Sequence, residues 1–287
     1  MAAPLQFGLL RPFGIPWPEI VSQWQHIEAT GFDSVWGIDH FNRPTDPGAP
    51  LFESWTALAG LAALTSRIRI GLLVTSNTFR HPALLAKEAV TVDHISNGRL
   101  EIGIGAGGFE PEHRSFGLHY PGPSERVERL RETIEAIDLL LTQDVTTYEG
   151  EYVQLTEAPF RPGPVQKPNP PLTIAAHGPK MIALAAKHAS RWNSYGSIEE
   201  MAERIDRLSK ACREIGRDPD ELTRSLYART ASLGLDPWES SDRFIEIIEG
   251  YRRAGINEFI FDPPTSKQWP AVERIAADVI PSLRVGN

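Results

Sequence analysis

Short apolar runs alternate with amphipathic stretches from one end of the chain to the other. Gln6–Leu10 reads as a strand, and residues 18–29 as a helix with Ile20, Val21, Trp24 and Ile27 at helical spacing. A strand over 34–38 leads to a helix over 55–64. A strand over 67–74 leads to a helix over 82–95 that opens on Pro82, a residue suited to the first helical turn. Leu100–Gly105 is the fourth strand and 124–141 the fourth helix, with Ser124 as its N-cap.

The alternation then pauses. Residues 145–148 and 152–155 flank Glu149-Gly150-Glu151 and predict a small hairpin. Six prolines within residues 159–171 exclude a helix or a central strand there and predict an extended surface insertion. Strands over 172–176, 191–195, 222–229 and Glu258–Phe261 follow, each leading to a helix, over 179–189, 198–215, 239–254 and 269–279. Eight strand–helix units predict an α/β chain of one domain, residues 1–287, folded as a (β/α)8 TIM barrel. The insertion, hairpin plus Pro-rich segment, spans about 142–171, before the fifth strand.

A barrel keeps its chemistry at the C-terminal ends of its strands. Counting units to those ends singles out Phe13, Asp39, His40, Thr75-Ser76-Asn77, Gly107, Gly108, His177, Gly178, Tyr195, Thr230 and Asp262. A histidine placed like His40 suits proton transfer at neutral pH. The bland alternative is that Asp39 caps a backbone turn and His40 makes one structural hydrogen bond.

Gly103-Ile104-Gly105-Ala106-Gly107-Gly108 matches G-x-G-x-x-G after a strand. A dinucleotide site also needs a helix to open at once, and the pattern places the next helix only near Ser124. These glycines read instead as bare backbone against which a flat ligand lies. Gly178-Pro179-Lys180-Met181 is the better phosphate candidate, because a glycine and then a first-turn proline leave free amides at the positive end of a helix dipole. An ordinary strand-to-helix turn has the same sequence. Glu110, Glu112 and His113 lack metal-ligand spacing, H-E-x-x-H is absent, and no metal is expected. The two carboxylates flank Pro111 in what reads as a solvated loop. Arg80-His81-Pro82 either reaches an anionic ligand or forms salt bridges at the rim. His26, His94 and His188 fall inside predicted helices and read as structural.

Composition narrows the class. With 41% apolar and 23% charged residues, the chain is ordinary for a globular protein with a sizeable core. A net charge of −8 without a basic block argues against a nucleic-acid partner. The apolar run over 57–64 is far short of the ~20 residues of a membrane span, so no membrane association is expected. The first residues lack the basic start and apolar stretch of a signal peptide, which points to the cytoplasm. Cys212 is the single cysteine, which excludes an intramolecular disulfide.

Several segments together resemble the bacterial luciferase-like flavin and deazaflavin oxidoreductases. They are Gly31-Phe32-Asp33-Ser34-Val35-Trp36-Gly37-Ile38-Asp39-His40-Phe41, Phe52-Glu53-Ser54-Trp55, Arg67-Ile68-Arg69-Ile70-Gly71-Leu72-Leu73-Val74-Thr75 and Arg80-His81-Pro82-Ala83-Leu84-Leu85-Ala86-Lys87. Gly98-Arg99-Leu100-Glu101-Ile102-Gly103-Ile104-Gly105-Ala106-Gly107 and Pro164-Val165-Gln166-Lys167-Pro168 continue the match, in order, from about residue 5 to about residue 265. The details look most like the branch that uses coenzyme F420, a deazaflavin, with FMN as the alternative cofactor.

The resemblance implies a (β/α)8 barrel, a small-molecule substrate and a homodimer. It places Asp39 on the ring system and His40 beside the reactive ring carbon, as proton donor or acceptor for hydride transfer. Leu73-Val74 matches a position where the family often carries a non-prolyl cis peptide against the ring, followed by Thr75. Ala106 and Gly107 would lie along the ring edge, and Ala175, Ala176, His177, Gly178, Pro179, Lys180 and Met181 would hold the phosphate. Phe13, Gly108, Phe109, Glu110 and Tyr195 are expected in the substrate pocket. Gly108 stands where some members carry a bulky aromatic or a catalytic Glu, which argues against a sugar-phosphate dehydrogenase unless Glu110 or Glu112 substitutes. An FMN-dependent monooxygenase and a non-catalytic flavin- or deazaflavin-binding protein are the competing functions.

Overall fold

The structure, a computed structural model, describes residues 4–285. The ends of the expected 1–287 domain, residues 1–3 and 286–287, lie outside the described residues. The chain runs β1 (Gln6–Leu10), α1 (Trp17–Thr30), β2 (Ser34–Gly37), α2 (Ser54–Leu64), β3 (Arg69–Leu72), β4 (Thr75–Ser76) and α3 (Pro82–Ser96). Next come β5 (Leu100–Gly105), α4 (Glu110–Ser115), α5 (Pro123–Thr142) and the strands β6 (Val145–Glu149) and β7 (Gln154–Pro159). The last part holds β8 (Leu172–Ala175), α6 (Pro179–His188), β9 (Arg191–Ser194), α7 (Ile198–Glu214), β10 (Thr223–Ala228) and α8 (Thr230–Leu233). It ends with α9 (Ser241–Arg253), β11 (Glu258–Phe261) and α10 (Trp269–Arg274), continued by a π-helical turn, Ile275–Val279, and α11 (Ile280–Val285). With β3 and β4 taken as one interrupted strand and the hairpin set aside, the described residues carry eight strand–helix units, the (β/α)8 class that the pattern predicts.

Two compact units make up the chain. One comprises Met1–Arg11, Ser22–Trp36 and Thr173–Asn287. Its strands are all parallel, with β1 between β2 and β11, β10 between β11 and β9, and β8 beside β9. Both faces of such strands are covered, so they read as continuous apolar runs. Its core is aromatic: Phe7, Phe244, Phe259, Phe261 and Trp238 pack with ring centroids 5.0–6.3 Å apart. At the strands' N-terminal ends a buried ion pair joins Arg191 Nε to Glu258 Oε2 at 2.7 Å. That end of a barrel serves stability.

The other unit comprises Pro12–Val21 and Gly37–Leu172. Here β3 and β4 both pair in parallel with β5. The expected strand over 67–74 is interrupted: Leu73 and Val74, joined by a cis peptide, form a turn, and pairing resumes at Thr75. Gly103 in β5 is required by close approach: a Cβ would stand 2.0 Å from the Leu72 carbonyl oxygen. Arg99 ties the end of α2 to β5 by donating to the carbonyls of Ala62, Thr65, Ile68 and Ser96 and to the Thr65 hydroxyl.

Helix α5 starts one residue earlier than expected. Gly122 is its N-cap and Pro123 its first residue, so Ser124 lies inside the first turn rather than at the N-cap. The insertion is anchored by two buried carboxylates. Glu132 accepts from the amides of Glu151, Tyr152 and Val153, which moves the second hairpin strand on to Gln154–Pro159. Asp93 accepts from the amides of Val165 and Gln166.

Candidate active site

The loop after β2 carries Asp39 and His40. Asp39 is buried, and its carboxylate takes two hydrogen bonds from Arg80, at 2.7 and 3.1 Å, and one from the Ser76 amide at 2.8 Å. Of the two readings open for Arg80, the structure shows the salt bridge. Arg80 also pairs with Glu53 and Glu88. Burial pushes the Glu88 carboxyl up to about 7; Arg80 opposes this, and Glu53 and Asp39 reinforce it.

His40 directs Nδ1 at Glu112 Oε2, 2.9 Å away. The other oxygen of Glu112 accepts from the amides of Phe41 and Asn42. Burial by itself raises the Glu112 carboxyl; the His40 bond, its charge and the two amides more than reverse this and hold it below the usual carboxylate range. An ionised acceptor at Nδ1 assigns the ring proton to that nitrogen and leaves Nε2 for exchange. Among the described residues nothing else bonds the His40 ring, and Phe109 packs edge-on to it at 6.2 Å.

Glu112 corrects the solvated-loop expectation. Residues 110–115 form α4 rather than a loop, and Glu112 is 1% exposed, whereas Glu110 is exposed. A helix therefore does open soon after the glycine motif, but Glu110 and Glu112 in its first turn place negative charge where a pyrophosphate would need the opposite. The neighbouring His113 is buried and internally satisfied, with Nδ1 at the Phe109 carbonyl and Nε2 at the Thr78 hydroxyl.

Phe13 is wholly buried, and a Cβ on Gly37 would strike its ring. Ala106 and Gly107 follow β5; Gly107 has φ +79°, a conformation that favours glycine, and a Cβ on Gly108 would meet nothing within 4 Å. A cavity of about 270 Å³ lies beside His40, lined by Asp39, Phe41, Leu51, Ser54, Phe79 and Arg80. The sequence reading missed Phe41, Leu51 and Phe79 as pocket walls, although Phe41 directly follows the candidate histidine.

The remaining candidates belong to the other unit. After β8, the Ala176 amide donates to the Asn193 carbonyl, and His177 Nδ1 meets the Ser194 hydroxyl at 2.7 Å. Burial, helped by the Arg204 charge, pulls His177 down to about 4, so it is neutral at pH 7. Gly178 caps α6 without any side-chain bond, Pro179 is the first helical residue, and a Cβ on Gly178 would enter open space. The N-cap residue thus supplies no side-chain acceptor to the first turn of α6, and a helix start of this kind suits the phosphate of a flavin-type coenzyme. Tyr195 lies edge-on to His177, centroids 4.4 Å apart.

A family model described as luciferase-like monooxygenase matches residues 4–279. The F420-dependent glucose-6-phosphate dehydrogenase of Kineococcus radiotolerans is 30% identical over 90% of this chain and 90% of its own. The coenzyme F420-dependent tetrahydromethanopterin reductase of Methanopyrus kandleri superposes with a TM-score of 0.83 at 21% identity, over 98% of this chain and all of the other. An F420-dependent secondary alcohol dehydrogenase, in complex with an F420–acetone adduct, does so with a TM-score of 0.86 at 21% identity over the same shares. The chain belongs to the luciferase-like monooxygenase family and is an oxidoreductase with the (β/α)8 fold. Among the described residues no helix is long and apolar enough to cross a membrane, and no cluster of three or more His, Cys, Asp or Glu side chains could hold a metal ion.

Proposed function

We propose that the protein is an F420-dependent oxidoreductase that moves a hydride between the deazaflavin and a small organic substrate, with His40 as proton donor and acceptor. The observation that carries this reading is the His40–Glu112 pair: a buried carboxylate fixes the imidazole by Nδ1 and keeps Nε2 for the reacting proton. The coenzyme, when bound, supplies the ring carbon that gives or takes hydride. The chain supplies placement and proton management.

In the second unit, Asp39, Leu73, Val74, Thr75, Ala106 and Gly107 take the ring system, and Arg80 holds the Asp39 carboxylate in place by two hydrogen bonds. In the first unit, Ala175 to Met181 take the phosphate at the uncapped α6 terminus. Phe13, Gly108, Phe109 and Glu110 of the second unit, and Tyr195 of the first, are the residues assigned to the substrate. Because Glu112 is committed to His40 and two amides, it does not replace the acid missing at Gly108, which leaves the exposed Glu110 as the candidate for that role. The chain acts as a single domain and as a cytoplasmic homodimer. The apolar groove of about 390 Å³ between α2 and α3, walled by Trp55, Ala59, Leu84 and Val92, supports a covered face there.

Absorbance of F420 under anaerobic turnover with a panel of carbonyl, alkene and alcohol substrates tests this. Bleaching or recovery of the coenzyme band supports it; oxygen uptake with reduced FMN and an inert F420 band would replace it with the monooxygenase.

A further inference from the structure

In the first unit, one arginine at the strand ends has no counter-ion. Arg229 directly follows β10, and its guanidinium lies over the rings of Tyr195, at 5.2 Å, and Tyr227, at 5.9 Å. Among the described residues no carboxylate comes within ion-pair distance of it. Arg204 behaves differently: it donates to the Ser194 hydroxyl and the Tyr195 carbonyl and pairs with Glu200. Asp262, at the end of the adjoining β11, is spent elsewhere. One of its oxygens accepts from the Tyr227 hydroxyl at 2.7 Å, the other from the Thr230 amide at 2.9 Å.

None of the Arg229 nitrogens is among the buried unpartnered atoms, so the fork is open to solvent and to a ligand. The two aromatic faces restrict the side chain, so the planar donor fork is set before any ligand arrives. A rigid fork of this kind matches a carboxylate or a phosphate, which it grips by two parallel hydrogen bonds. On the proposed reading the start of α6 takes the coenzyme's phosphate, which leaves the Arg229 fork for another anion. We infer that Arg229 anchors an anionic group of the substrate, a carboxylate or a phosphate monoester, beside the Tyr195 ring. The inference rests on the F420-dependent reading of these strand ends.

Inorganic phosphate is the probe, titrated into F420-loaded protein and followed by 31P line width, with wild type, Arg229→Gln and Arg229→Lys. Saturable binding by wild type is expected, weakened by about tenfold or more in Arg229→Gln and partly restored in Arg229→Lys, which keeps the charge and loses the fork. F420 affinity should stay within about threefold in all three proteins, since the coenzyme does not use this side chain. Equal phosphate affinity in wild type and Arg229→Gln would overturn the inference. So would a parallel loss of F420 affinity with phosphate displacing F420, because the anion would then be the coenzyme's own. If wild type takes up no F420 at all, the functional reading fails instead, and the same comparison on unloaded protein still decides whether Arg229 holds an anion.

Discussion

His40 and Glu112 are 72 positions apart in the chain, and their Nδ1 and Oε2 atoms are 2.9 Å apart in the fold. The carboxylate is buried and its second oxygen secures the loop that carries the histidine, so ring orientation and loop position depend on one side chain. His40→Asn should lower turnover by about 10²–10⁴-fold, the range of a lost general acid or base. Glu112→Gln keeps an acceptor but not the charge, and should lower turnover by about 10–100-fold, as losing an orienting partner does elsewhere. Steady-state kinetics with F420 affinity measured in parallel checks both: the affinities should hold. A His40→Asn enzyme at the wild-type rate would remove His40 from the mechanism.

Asp39 is buried, and the half-buried Arg80 is held by two bonds to its carboxylate. Removing one partner leaves the other charge uncompensated. Arg80→Met should therefore destabilise the protein by about 3–5 kcal/mol, well above the cost of losing a surface pair. Urea unfolding measures it.

At the start of α6 the first-turn amides set binding against stability. Gly178 has φ −84° and ψ 161°, which any residue adopts, and a side chain there meets open space. Gly178→Asp should cap the helix and add about 0.5–1 kcal/mol of stability, while its carboxylate occupies the amides that the coenzyme phosphate needs. Thermal unfolding should rise slightly and F420 affinity should fall by at least about tenfold, the cost of a like charge against the phosphate. A purely structural turn would show the first effect without the second.

His177 carries a pH signature. Its pKa in the folded chain, about 4, lies below the unfolded value of 6.5, so the unfolded chain binds the proton more tightly. The stability this contributes is complete above pH 6.5 and is lost as the pH falls towards 4. His177→Gln should flatten urea midpoints measured across that window. Near neutral pH, F420 binding should show no step from His177, because the ring is uncharged there.

Much of this was legible from the sequence because it is local. The period of apolar residues marks each strand–helix unit, and the Gly178-Pro179 step marks an uncapped helix start. The site expected for a cis peptide from family resemblance, Leu73-Val74, carries one. What stayed hidden depends on long-range contact. Residues 110–115 are a six-residue helix between a glycine run and Gly117, too short to show a period. Nothing local distinguishes the buried Glu112 from the exposed Glu110. The apolar pattern alone does not show the break at the end of β3, since a run of apolar residues reads as one strand whether or not the backbone turns within it; only the family resemblance pointed to Leu73-Val74. Arg80 could be placed at the rim but not assigned to Asp39, because that choice is made by the folded loops.

The central claim is that these strand ends bind a deazaflavin. Titration of the purified protein with F420 and with FMN in parallel, followed by intrinsic tryptophan fluorescence, tests it most directly. The expected result is micromolar binding of F420 and far weaker binding of FMN. A preference for FMN, or binding of neither, would contradict it.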